Sequence, residues 1–268
     1  MRNSLWLVFS GVMWAQGVKL PAELQAWQKV AVTARVTGVV ERVLVDRGSV
    51  VKEGELLVEL SAPEMKAQLV EVEVRAQAVE AQRGEAEAKM AAAESLSSRL
   101  KTASGTAGAV SANELIQAEK QVESLKALIA GLEKKAAAVR AQAEVIRDMM
   151  GYLRIQAPFA GVITERMVHP GALAGPGAGA LVELQAVSRL RLVVAMPESE
   201  WKSMPAGARL SFTVPAHAGR TFTGVVARRA RVLDAKSRTM PVELDVMNGD
   251  GALAPGMYAE VTLPARAK

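Results

Sequence analysis

The sequence predicts a multidomain α+β chain: a small β-sandwich made of two half-motifs, an antiparallel coiled-coil α-hairpin inserted between them, and a small antiparallel β-barrel after them. Three observations carry this. Residues 61–153 hold two ladders of apolar and Ala positions spaced alternately by three and four. A Gly-punctuated strand unit occurs before those ladders and again after them. From residue 189 onward, short alternating strands are separated by Pro and Gly turns.

The helical part is marked by composition. Ala, Glu, Gln, Lys and Arg dominate from Ser61 to Leu153, and Pro and Gly nearly vanish. One ladder runs Met65, Leu69, Val72, Ala76, Val79, Ala86, Met90, Ala93 and Leu100, with Arg83 and Ser97 as polar rungs. The other runs from Leu115 through Val122, Leu125, Ile129, Leu132, Ala136, Val139, Ala143 and Ile146 to Met150 and Leu153. Ser61-Ala62-Pro63-Glu64 and Ser111-Ala112-Asn113-Glu114 each place a Ser three residues before a Glu, the capping-box spacing. Pro63 suits a first helical turn. Small residues from Thr102 to Val110 can reverse the chain. Two helices of about 40 residues make a hairpin roughly 60 Å long at 1.5 Å per residue.

The flanking units repeat each other. Thr37-Gly38-Val39-Val40 matches Ala160-Gly161-Val162-Ile163. A second Gly follows ten residues later in each (Gly48, Gly171), a third six further on (Gly54, Gly177), and each unit closes on Leu-Val-Glu-Leu, at Leu57–Leu60 and Leu181–Leu184. Two half-motifs of this kind pair into one sandwich, over 35–60 and 154–188, with the hairpin at 61–153. The barrel is expected over 189–264, with strands at Leu190–Met196, Arg209–Val214, Thr221–Ala230, Met240–Met247 and Met257–Leu263, an amphipathic stretch at Glu198–Met204 and a tail at 265–268. The segment 18–34 is expected to add to the barrel, strand character being clearest from Trp27 to Val36.

Composition excludes several kinds of chemistry. The 268 residues contain no Cys, which removes disulfides, thiolate metal sites and thiol nucleophiles. Two His, His169 and His217, cannot build a His cage; both sit in turns and read as exposed loop residues. A net charge of +5 from 33 basic and 28 acidic residues is a mixed surface, and 4% aromatics supply no stacking platform, so no nucleic-acid partner is expected. At the amino end, Arg2, an apolar run from Leu5 to Trp14 and Ala15-Gln16-Gly17 read as an export signal peptide over 1–17, too short for the roughly 20 residues of a spanning helix. An uncleaved anchor is the other reading.

In this order of parts, the chain resembles the periplasmic adaptor subunits, or membrane fusion proteins, of bacterial tripartite efflux pumps, the resistance-nodulation-division type above all. The stretches that carry the resemblance are Gly38-Val39-Val40 through Asp46-Arg47-Gly48 to Gly54, Ile155-Gln156-Ala157-Pro158-Phe159-Ala160-Gly161, and Leu253-Ala254-Pro255-Gly256-Met257. The resemblance implies a split lipoyl-like domain and a protein of the periplasm joining an inner-membrane transporter to an outer-membrane channel. It also implies self-association into an oligomeric funnel, with no catalytic residues; on the residues weighed below, no cofactor and no metal site is expected. It further implies a hairpin tip that docks through an Arg, a Leu and a Ser, for which Arg99, Leu100 and Ser111, with Val110 beside them, are the candidates. Many relatives continue into a membrane-proximal domain where this sequence reaches Lys268.

Other readings are weighed on their residues. A lipoyl or biotinyl carrier needs a Lys on an exposed turn, whereas Lys66 falls inside the first ladder. Of the 12 Met, Met149, Met150 and Met167 cluster in sequence near the hairpin base, where core packing accounts for them better than soft-metal binding. Neither His has the Ser/Asp surroundings of a hydrolase. A self-associating coiled-coil scaffold of the cell envelope explains the ladders but not the repeated strand unit. An adaptor for an ABC-type exporter is a further alternative.

Overall fold

The computed structural model describes residues 18–105, 110–201, 204–230 and 232–263. The expected export signal, the centre of the hairpin turn and the expected tail therefore lie outside the described residues. In chain order the first half holds β1 (Lys19–Thr33), β2 (Gly38–Val43), β3 (Val50–Val51), β4 (Leu56–Ser61), α1 (Pro63–Ala103) and α2 (Ala112–Gly151). The second half holds β5 (Arg154–Gln156), β6 (Gly161–Arg166), β7 (Leu173–Ala174), β8 (Ala180–Pro197), α3 (Glu198–Trp201), β9 (Arg209–Thr213), β10 (Thr221–Arg229), β11 (Thr239–Met247) and β12 (Tyr258–Thr262).

Six antiparallel strands, in the order β1-β12-β9-β10-β11-β8, close into a barrel when β8 pairs back onto β1. Period-two burial fills it. Leu190, Leu192, Val194 and Met196 point inward from β8 and meet Leu24, Phe212, Leu244 and Val261, all fully enclosed. The sandwich stacks β1-β8-β6-β3 on β5-β4-β2-β7 around a second core that includes Leu57, Val58, Ile163, Val182 and Leu184. β1 and β8 serve both bodies. β1 pairs with β12 over 19–23 and with β8 up to Thr33, and β8 runs through residues 188 and 189 without a break. The boundary expected between those residues falls inside a strand.

The repeat is realised as an exchange. The Gly48 N–H donates to Ile163 O at 2.7 Å and the Gly171 N–H to Val40 O at 2.8 Å; Ile163 and Val40, like Gly48 and Gly171, are equivalent positions of the two half-motifs. The next residues answer in the same way, Ile163 N to Ser49 O at 3.0 Å and Val40 N to Ala172 O at 2.8 Å. β3 thus pairs with β6 and β7 with β2. Each half-motif is completed by the hook of the other, so neither closes alone. Both hooks turn on a left-handed residue, φ 87° at Gly48 and at Gly171, where a side chain would be strained.

In the hairpin every apolar ladder residue is buried or half-buried, including the rungs Arg83 and Ser97, with Val79, Ala86, Leu125, Ala136, Val139 and Ala143 most enclosed. Helix pairs Glu73–Arg147 (2.6 Å), Glu80–Arg140 (2.6 Å) and Glu94–Lys126 (3.0 Å) tie α1 to α2. Each partner directly follows a ladder residue, so all three bridges lie on one face. One start signal fails. Ser61 is the last residue of β4, paired with Val39, and Ala62 takes the N-cap position without a side-chain cap. The strand ladder holds Ser61 in place, and Pro63 opens the helix directly after it.

One carboxylate ties the shared strands together. On β8, the Glu183 carboxylate accepts hydrogen bonds from Gln185 Nε2 (2.9 Å) and Thr164 Oγ1 (2.8 Å) and pairs with Lys29 Nζ on β1 at 2.9 Å. Lys29 first, then Gln185, hold its pKa below the ordinary carboxylate value. A depressed folded pKa contributes stability above the unfolded value of about 4.3 and loses it as pH falls through the folded one. Thermal unfolding followed against pH is therefore expected to show a decline below about pH 4.5 that Glu183→Gln makes shallower; an unchanged slope in the variant would refute it.

Candidate partner-docking site

The hairpin and the barrel form two separate ends of the molecule. Arg35, just past β1, stacks its guanidinium over Tyr152 at the hairpin base (5.3 Å), while Lys19, the first residue of β1, pairs with Thr262 at the barrel rim. Hairpin and barrel therefore leave the sandwich at opposite ends of β1.

At the far end of the hairpin, α1 closes on Ser104, whose N–H donates to Leu100 O at 2.9 Å, and α2 opens on Ser111. Ser111 forms the capping box expected of it: the Glu114 carboxylate accepts the Ser111 N–H at 3.2 Å. Its role in the structure is thus that of an N-cap. Arg99 is exposed on the last turns of α1, and Val110 is half-buried in the bend before Ser111. Leu100 is a seam residue, half-buried, and with Leu96 lines a groove of about 440 Å3 opposite Gln117, Ala118 and Gln121 of α2. All four candidates gather at one end of the hairpin, with the turn residues 106–109 outside the described set.

Two residues missed by the sequence reading stand out there. Leu96 and Ile116 are about half exposed, at 48% and 53%. Both are large apolar side chains lying off the 3/4 ladders, and that displacement was the available clue. A helix surface exposes Leu and Ile singly as a matter of course, and these two lie at the tip end of the hairpin.

The remaining candidates find structural employment. His217 is half-buried rather than exposed: it ends a 3-10 turn (Pro215–His217), with Nε2 2.7 Å from Ala252 O and its ring edge-on to Phe222. The covering loop, unreadable in one dimension, accounts for the difference. His169 is exposed, with Nδ1 3.0 Å from Arg166, which also pairs with Asp46 across the exchanged hooks. Met150 packs with Met65 against the sandwich core as expected, but the core-packing reading fails for Met149 and Met167, which are exposed because each lies on an outward-facing position beside an inward-facing one. Lys66 sits in the first turns of α1. Among the described residues, no group of three or more His, Asp or Glu is placed to hold a metal ion, and no helix is long and apolar enough to cross a membrane.

Comparisons with known proteins agree with this architecture. Residues 29–185 match the CusB barrel-sandwich hybrid domain and residues 190–267 the CusB-like β-barrel domain. The chain is 28% identical over 246 residues to the nodulation protein NolF of Rhizobium meliloti (strain 1021), covering 91% of this chain and 62% of that one. It is 27% identical over 213 residues to the macrolide export protein MacA of Yersinia pestis, covering 79% of this chain and 57% of that one. The chain thus spans about 60% of the length of these curated relatives. The crystal structure of MacA from Actinobacillus actinomycetemcomitans has the same fold, with a TM-score of 0.81 at 18% identity over 93% of this chain and 79% of that one. Since the barrel-sandwich hybrid match covers more than half of the residues, with the matching barrel directly behind it, the chain belongs to the CusB-like membrane fusion, or periplasmic adaptor, proteins.

Proposed function

We propose that this chain is a periplasmic adaptor that links an inner-membrane efflux transporter to an outer-membrane channel and supports the export of small molecules, without catalysing a reaction. The observation that carries the reading is the opposed placement of a long two-helix hairpin and a closed barrel on one sandwich. A hairpin of about 60 Å, stiffened by three inter-helix ion pairs on one face, reaches a distant partner while the barrel stays at the transporter. The expected transporter is of the resistance-nodulation-division type, an ABC-type exporter being the alternative, and export of the chain rests on the segment 1–17.

At the tip, Arg99, Leu100, Val110 and Ser111 are proposed to meet the channel, with Leu96 and Ile116 adding apolar area. Side-by-side packing of several copies into a funnel finds support on α1. Val70, Val74, Ala81, Gly84, Ala88 and Ala91 are all exposed, uncharged and spaced by three or four or their sums, so another helix can approach closely. The hooks add Val50 and Leu173, equivalent positions 80% and 70% exposed.

The test is crosslinking in cells from a photoreactive residue at Val110, with the partner identified by mass spectrometry. An outer-membrane channel protein is the expected partner. Crosslinks confined to further copies of this chain would replace the adaptor reading with the self-associating scaffold.

A further inference from the structure

The described chain passes between barrel and sandwich only twice, in β1 and in β8, and the ladder joining those two strands is interrupted at the crossing. Ala26 pairs with Leu190, but the next paired residue, Gln28, meets Ala186, so Trp27 on one strand faces Val187, Ser188 and Arg189 on the other. A two-strand connection with a break of this kind is a natural pivot, because the freed backbone groups can find new partners as the strands turn.

Both sides of the break are closed by side chains. On the inner side stands Asn248, the one buried polar residue among those described (3% exposed): its main-chain N–H extends the β8–β11 ladder by one rung to Ser188 O at 2.9 Å, and its side-chain Nδ2 donates to Val187 O, at the break, at 2.8 Å. The same side chain holds Leu253 in both directions, Nδ2 to Leu253 O at 2.7 Å and Leu253 N to Oδ1 at 2.9 Å. On the outer side the Trp27 indole lies beneath three guanidinium groups, with Arg189 at 3.9 Å, Arg191 at 4.7 Å and Arg228 at 5.3 Å from the ring centre. Those arginines are tied to β11 in turn: Arg189 to Asp245 at 2.5 Å, Arg228 to Glu243 at 2.5 Å and to Asp245 at 3.0 Å. The Nε atoms of Arg189 and Arg191 are shut off from water and have no hydrogen-bond acceptor. Their contact with the indole face offsets that loss, and it makes the stack dependent on the ring.

We propose that Trp27, roofed by Arg189, Arg191 and Arg228, is the latch that fixes the angle between barrel and sandwich at this interruption, while Asn248 holds the joint together whichever way the latch stands. The cluster spans four adjacent strands, β10, β11, β8 and β1, so a load on the outer wall of the barrel reaches the pivot through side chains rather than through the backbone alone. Its consequence, a barrel that passes motion to the hairpin or withholds it, rests on the adaptor reading. The latch itself does not, so the two can fail separately.

A chain without cysteine suits the measurement. Spin labels on Ser211→Cys in the barrel and Glu53→Cys in the sandwich, in the purified full chain, report the distance distribution between the two bodies. The expected result is a narrow distribution in the parent, a width at least doubled by Trp27→Ala, and a width near the parent's for Trp27→Phe, which keeps a ring under the arginines. Where Trp27→Ala unfolds cooperatively, it decides the matter, and a parental width would overturn the latch. Where it does not fold, Arg228→Gln, which removes one guanidinium and leaves the indole, decides in its place: broadening supports the latch and a parental width overturns it.

Discussion

Leu125→Pro is expected to break α2 about a third of the way along its length and to abolish assembly with partners. Leu125 is one of the most enclosed residues of the hairpin seam, 8% exposed, and lies well inside the 40-residue helix. Proline there removes an i→i−4 hydrogen bond and drives its ring into the preceding turn, a cost of about 3 kcal/mol, while also emptying a seam position. The hairpin makes few contacts outside itself, so the barrel and sandwich are expected to remain folded. Helix content and thermal unfolding measure the first part, and copurification of partners together with efflux from cells measures the second. Normal efflux from cells carrying the variant would count against a stiff hairpin as the working part.

The second large effect is expected at Gly161, the first residue of β6. A Cβ built there would lie 2.3 Å from Gln185 O and 2.9 Å from its carbonyl carbon, both backbone atoms of β8. No rotamer relieves that contact; the strands have to separate, and β8 is the strand that sandwich and barrel share. Gly161→Ala is expected to cost about 3 kcal/mol, at the upper end of overpacking substitutions. The equivalent residue of the first half-motif is a graded control: at Gly38 the added carbon would meet Ser61 O at 2.9 Å, and Gly38→Ala is expected to cost about half as much. Denaturant midpoints of the two variants, with unchanged m-values, measure the difference. Equal and small losses at both positions would refute the close approach of β6 to β8.

Much of this molecule was readable along the chain, and the readable parts share a cause. The hairpin seam follows from spacing alone, since a period near 3.6 brings every third or fourth residue to one face wherever the helix lies; each ladder residue named from the sequence is buried or half-buried in the fold. The Ser111 capping box is equally local, four consecutive residues satisfying one another. The strands after residue 189 declared themselves through alternation and turn residues in the same way. At the tip, Arg99, Leu100, Val110 and Ser111 could be placed at one end of the hairpin, whereas Leu96 and Ile116 were marked only by their displacement from the 3/4 ladders.

Pairing between distant segments decided the rest. The sequence showed that the two half-motifs are alike but not that their hooks exchange, because hydrogen bonds such as Gly48 to Ile163 join residues far apart in the chain with no local trace. β1 extends from Lys19 to Thr33 rather than from Trp27 to Val36; Pro21 discourages a strand, and β12 and β8 impose one on either side of it. Ser61 became a strand residue instead of a helix cap once Val39 paired with it. The sequence by itself determined the kinds of element, their order and the faces they bury, all of which depend on neighbours a few residues away. Only the tertiary structure decided that two strands run unbroken through two cores and meet at Trp27 and Asn248, because strand length and register are settled by whichever partners lie alongside.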